Sequence, residues 1–83
     1  MTRGDKIIIH EQMVYKNEIY KHHKGDNYKI ILTAEESNTG EIMVVYQAMY
    51  ENPDYPYFTL PVVEFTKFVE KDGQKIKRFT KIN

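Results

Sequence analysis

The chain has no cysteine and no tryptophan, only four glycines and three prolines, and no net charge across 83 residues. Each scarcity excludes something. Without cysteine there is no disulfide, no thiolate nucleophile and no cysteine-ligated zinc. That pattern fits a cytoplasmic protein. No apolar run approaches the roughly 18 residues of a membrane span. The run Ile7-Ile8-Ile9 is too short for a signal-peptide core, so no membrane partner is expected. The scattered glycines form no phosphate-cradling loop. A net charge of zero argues against a broad binder of duplex DNA, whose affinity rests on several phosphate contacts. The length allows one small domain with a thin stability margin.

Charge is segregated along the chain even though it sums to zero. No Lys or Arg occurs from Ile30 to Thr66, a stretch that holds Glu35, Glu36, Glu41, Glu51, Asp54 and Glu64. The tail from Lys67 to Asn83 carries Lys67, Lys71, Lys75, Lys77, Arg78 and Lys81 against Glu70 and Asp72. Intramolecular compensation is the ordinary explanation. The functional ones are a basic patch for an anionic ligand, or complementary patches that join copies into a homo-oligomer.

The dominant period is two, which predicts strands. Tyr28, Ile30, Leu32 and Ala34 alternate with Lys29, Ile31, Thr33 and Glu35; Ile42, Val44, Tyr46, Ala48 and Tyr50 alternate with Met43, Val45, Gln47 and Met49. Ser37-Asn38-Thr39-Gly40 between them reads as a hairpin turn, with Gly40 in the left-handed place of a three-residue loop. Pairing Ser37 with Glu41 sets Leu32 opposite Tyr46, Ile30 opposite Ala48 and Tyr28 opposite Tyr50, all on the core face. A second hairpin is expected from Phe65–Glu70 and Gln74–Lys81 around Lys71-Asp72-Gly73. Phe58 to Leu60 predicts a short strand that stops at Pro61, and Tyr20 to Lys24 an extended segment before a turn. Lys6 to His10 reads as a strand, and Glu11 to Asn17 extends it or makes one helical turn. The expected architecture is all-β: a small SH3-like barrel or a highly curved antiparallel sheet built from hairpins, with at most one short helical turn. Residues 1–18 read as an N-terminal extension and 19–83 as the domain.

Two blocks carry a family likeness. Tyr20-Lys21-His22-His23-Lys24-Gly25 with Tyr28-Lys29-Ile30, and Val44-Val45-Tyr46-Gln47-Ala48-Met49-Tyr50, resemble the bacterial domain-of-unknown-function family numbered 1653. Ser37, Thr39, Glu41, Pro61, Phe65, Gly73 and Arg78-Phe79 extend the likeness over roughly Ile19 to Ile82. The resemblance implies a small standalone β domain and no particular reaction. The family usually has Trp, one residue, then Arg-Pro where this chain has Phe58-Thr59-Leu60-Pro61, so Leu60 stands at the place of an arginine. It often has Pro where this chain has Lys77. These departures read as a divergent member of phage or mobile-element origin.

Candidate site residues follow from chemistry. His22 and His23 are neighbours, so on a strand they point to opposite faces; no spacing supports a metal site, and no cofactor is implied. His22 matches the family motif and is the expected ligand-capable histidine, with His23 packed. Ser37 is the sole serine and sits in a turn, so no nucleophile is evident and the chain does not read as an enzyme. Seven tyrosines are the main enrichment. Most of those on the alternating strands belong to the core. Tyr20, His22 and Lys24, with Arg78 beside Phe79, have the makeup that stacks a base while cations meet phosphate. Gln47 is an amide on a largely apolar face, where it needs a partner or reads a ligand. The expected site is therefore Tyr20, His22, Lys24, Gln47 and Arg78. The expected function is non-enzymatic binding of a small anionic, nucleotide-like ligand, with a sequestering role, or of single-stranded nucleic acid. The alternative is a protein-interaction or self-assembly module.

Overall fold

The computed structural model describes residues 14–52 and 54–83. The strand expected at Lys6 to His10 lies outside them. The elements in chain order are β1 (Ile19–His22), β2 (Asn27–Glu35), β3 (Ile42–Ala48), β4 (Tyr57–Pro61), α1 (Val62–Phe65), β5 (Phe68–Lys71), β6 (Gln74–Lys77) and β7 (Phe79–Lys81). Five strands form one antiparallel sheet in the order β4-β3-β2-β1-β7, and β5 pairs with β6 as a separate hairpin arm.

The all-β, antiparallel expectation holds. Closure into an SH3-like barrel does not: the strand order ends at β4 and β7, and among the described residues no ladder joins them. The sheet is nonetheless strongly curled. Phe79 on β7 and Tyr46 on β3 are three strands apart, which in a flat sheet is roughly 14 Å at the usual strand spacing. Their ring centroids are 5.6 Å apart. Phe58 on β4 likewise reaches Tyr28 on β2, at 6.0 Å.

Curling gathers the large side chains of one face into a single core. Val14, Ile30, Val44, Tyr46, Phe65 and Phe79 form its buried centre, with Tyr20, Tyr28, Phe58 and Leu60 packed against it. Helix α1 fills the concave side. Its Phe65 stacks on Phe79 at 3.9 Å with the ring planes 5° apart, and meets Tyr20 and Tyr46 edge-on at 5.2 Å each. Among the described residues the single helical turn lies at Val62–Phe65; of the expected Glu11–Asn17 segment only 14–17 is described, and it is not helical. There Val14 belongs to the core, and Asn17 takes the left-handed φ of 73° and ties its N–H to the Ile30 carbonyl.

The β2–β3 register differs from expectation for two local reasons. The loop has four residues, not three: Glu36 and Glu41 bracket it, with Gly40 at φ 76° donating its N–H to the Glu36 carbonyl. The Glu36 carboxylate accepts the N–H groups of Asn38 and Thr39 at 2.8 and 2.7 Å, which fastens the turn. Then a bulge between Ile30 and Leu32 inserts one residue. Ile30 therefore pairs with Tyr46 and Tyr28 with Ala48, while Leu32 pairs with Val45 and turns outward, 46 % exposed. Tyr50, expected on the core face, is 39 % exposed at its rim.

The C-terminal hairpin is shorter than expected. Phe65 leaves it for α1, and Lys71 pairs with Gln74, so the loop is the two-residue Asp72-Gly73. Both residues have positive φ, 53° and 79°, which is the type I′ turn that matches strand twist. Gln74 to Lys81 does not run as one strand. It divides at Arg78, whose N–H donates to the Lys67 carbonyl in the stretch leading into β5 and whose carbonyl accepts from His23 N–H beside β1. One peptide segment thus stitches the arm to the sheet.

Phe65 is fully buried, and Phe65→Ala opens a cavity at the meeting point of α1 and β7. The expected loss is about 3–5 kcal/mol, read as a fall in ΔG from urea unfolding; a loss below about 1 kcal/mol would contradict the central place given to this ring.

Candidate functional site

Strand β1 is the inner neighbour of both β2 and β7, so it decides what is brought together. Tyr20 lies opposite Tyr28 and Lys81; His22 lies opposite Phe79; Lys21 lies opposite Thr80. Alternation sends Tyr20 and His22 to the aromatic side and Lys21 with Thr80 to the other.

His22 packs edge-on against Phe79 at 4.9 Å and Tyr28 at 6.4 Å. Its Nδ1 accepts the Lys24 N–H at 3.1 Å. Burial, followed by the nearby His23, Arg78 and Lys24, lowers its pKa below the ordinary 6.5, with Asp26 opposing. The fold therefore favours the neutral imidazole. Below the ordinary pKa of 6.5 protonation favours the unfolded chain, so stability falls as pH drops from there.

His23 does not oppose His22. Strand β1 ends at His22, alternation stops there, and the two imidazoles lie 4.4 Å apart. His23 Nδ1 is buried, and among the described residues it meets no hydrogen-bonding partner. Such a group costs about 1–3 kcal/mol, so the fold tolerates this nitrogen without drawing stability from it.

On the outer side, β1, β7 and the arm border an open, shallow cleft of about 320 Å³. Lys21, His22, His23 and Lys77 supply its cationic and polar lining; Ile76 and Ile82 supply apolar walls, and Thr80 a hydroxyl. Lys21 and Lys77 are exposed, so each ammonium is free to move onto an anion.

Of the five residues expected from sequence, only His22 lines this cleft. Lys24 sits in the adjoining turn and is exposed. The Arg78 side chain turns to the aromatic side: its guanidinium lies 6.0 Å from the Phe79 ring centroid, and Nη1 stands 3.7 Å from the Glu64 carboxylate. Tyr20 is tied into the core edge, donating its hydroxyl to Glu18 at 3.1 Å. Burial first, then the Glu18 carboxylate, pushes that phenol up to about 12. Glu18 also accepts the Tyr15 N–H at 2.8 Å and pairs with Lys81 at 3.2 Å. Gln47 lies on the outer face of β3, opposite Lys29 and Tyr57, far along the sheet from β7. His22 and Lys24 thus share one turn, Arg78 meets it through its backbone carbonyl, and Gln47 lies apart.

Sequence reasoning missed Lys21, His23, Lys77 and Thr80. Lys21 and Thr80 could have been found only from the β1–β7 pairing, which the sequence does not announce. Leu60 is half-buried against the core opposite Val44.

The family model described as "Protein of unknown function (DUF1653)" matches residues 18–81. The chain belongs to this family. A crystal structure of a DUF1653 protein from Bordetella bronchiseptica is similar to it, with a TM-score of 0.73 and 26 % identity, covering 82 % of this chain and 87 % of that one. No curated protein matches. This DUF1653 domain therefore carries a fold shared with a solved relative and, among the described residues, has no helix long and apolar enough to cross a membrane.

His23→Phe removes the unpaired buried nitrogen while keeping a ring of similar shape. The urea midpoint is expected to hold or rise; a loss above about 1 kcal/mol would mean that Nδ1 has a stabilising partner after all.

Proposed function

We propose that this domain is a non-enzymatic binding module for a small anionic, nucleotide-like ligand, taken in the cleft between β1, β7 and the arm. One observation carries the reading: Lys21, Lys77, His22 and His23 converge on a space of about 320 Å³ that also has apolar walls. Ligand clefts of roughly this size upward combine an apolar lining with a few placed polar groups. Two lysines offer point charges to a phosphate, and Ile76 and Ile82 offer a surface for a ring. A sequestering role is consistent with a domain that binds and does not transform.

The test is calorimetry and thermal shift with nucleoside mono- and diphosphates and with inorganic phosphate. Binding is expected to weaken about tenfold or more in Lys21→Ala/Lys77→Ala, on the scale of two charge-assisted contacts, and to weaken with added salt. No heat and no shift from any of these ligands would sink the reading.

A second reading, self-association of copies, is favoured by two observations: the bulge in β2 turns Leu32 outward opposite Val45, and Tyr57, opposite Gln47 on the same face, is 57 % exposed. Light scattering at low and high salt checks it: a dimer or larger species is expected, weakened by Leu32→Glu. A strict monomer at every concentration removes this reading.

A further inference from the structure

We propose that the cleft and the arm together hold single-stranded nucleic acid, with one nucleotide in the cleft and the next base stacked on Phe68. The inference rests on the cleft reading above and extends it to the identity of the ligand. Of the four phenylalanines, Phe65 and Phe79 are buried and Phe58 packs on the core, whereas Phe68 is 55 % exposed. Among the described residues the β5–β6 arm pairs only with itself, and an isolated two-stranded hairpin has little stability to spare for an unused aromatic surface. Phe68 lies directly opposite Lys77 in the arm's ladder, and Lys77 lines the cleft. Directly opposed side chains in an antiparallel pair start about 4.5–5.5 Å apart, so the ring stands at the cleft's rim. Glu70 faces Lys75 on the same side of the arm, so with Lys77 that face carries two positive side chains and one negative; Lys67, at the arm's base, is paired with Glu64 at 2.7 Å. An exposed ring beside a phosphate-sized cationic cleft, continued by lysines, is the arrangement that binds single strands by stacking and backbone contact.

The arm's strands are held by the Asp72-Gly73 turn, and its base by the Arg78 backbone, so Phe68 and Lys77 keep their relation to the cleft without a ligand. Duplex would present no unstacked base to Phe68, so the proposal is confined to single strands.

The experiment is fluorescence anisotropy with short labelled oligothymidylate and oligouridylate, set beside calorimetry with the matching mononucleotides on the same protein. Oligonucleotides are expected to bind about tenfold or more tightly than mononucleotides. Phe68→Ala is expected to remove that gain and Phe68→Tyr to retain it, with mononucleotide affinity unchanged in both. The oligonucleotide affinity should fall steeply with salt, and less steeply in Lys75→Ala. Circular dichroism of the two variants confirms that the arm is intact. Mononucleotide binding with no oligonucleotide advantage, or an advantage that survives Phe68→Ala, overturns the inference and leaves the cleft reading standing. Absence of binding by either ligand overturns both.

Discussion

The near-parallel stack of Phe65 on Phe79 is the contact on which the rest of the molecule depends. Phe79 sits on the last strand and Phe65 on the one helix among the described residues, so this pair closes the concave side of a sheet that does not close itself. Tyr20, Tyr46 and Tyr28 then pack around the two rings, each edge to face, which is the arrangement that ring quadrupoles favour. A small chain without disulfides needs such concentration: few residues are fully buried, and most of the large ones are aromatic or β-branched.

This arrangement also explains where polar chemistry is left over. The curl draws the alternate side chains of β1 and β7 into the core on one face and leaves Lys21 and Thr80 on the other. The chain turns at Arg78, whose backbone bridges arm and sheet, and the open cleft lies between the two. His22 belongs to both regions, packed on the aromatic side and reaching the cleft's lining. The histidine pair is thus at the seam between the part of the protein that holds the fold and the part left accessible to a ligand.

Much of the fold was legible because alternation is a local signal. Strands Asn27–Glu35 and Ile42–Ala48, the places of the turns at Gly40 and Gly73 though not the three-residue length expected of each, and the opposite facing of Gln47 and Tyr46 follow from period two and turn chemistry. What was not legible was non-local. The bulge at Ile31 leaves no mark in composition, since Ile30, Ile31 and Leu32 are interchangeable as strand formers; only packing decides which turns in. The helical turn 62–65 was hidden because Val62, Val63 and Phe65 have strand propensity, and tertiary burial of Val62 and Phe65 overrides it. The cleft was hidden for the same reason. Of the residues singled out by their chemistry only His22 lines it, and its lysines become visible only when β7 is laid against β1.

The bulge has a further consequence for variation in this chain. An extra residue already inserted between Ile30 and Leu32 separates β2 into a half whose facing is fixed by the core and a half whose facing is not. Lengthening or shortening the hairpin beyond Leu32 changes the tip, around Glu36 and Gly40, without rotating Tyr28 or Ile30 out of place. The tip can diverge freely while the packed half stays constant, so the two ends of one strand are open to different rates of change.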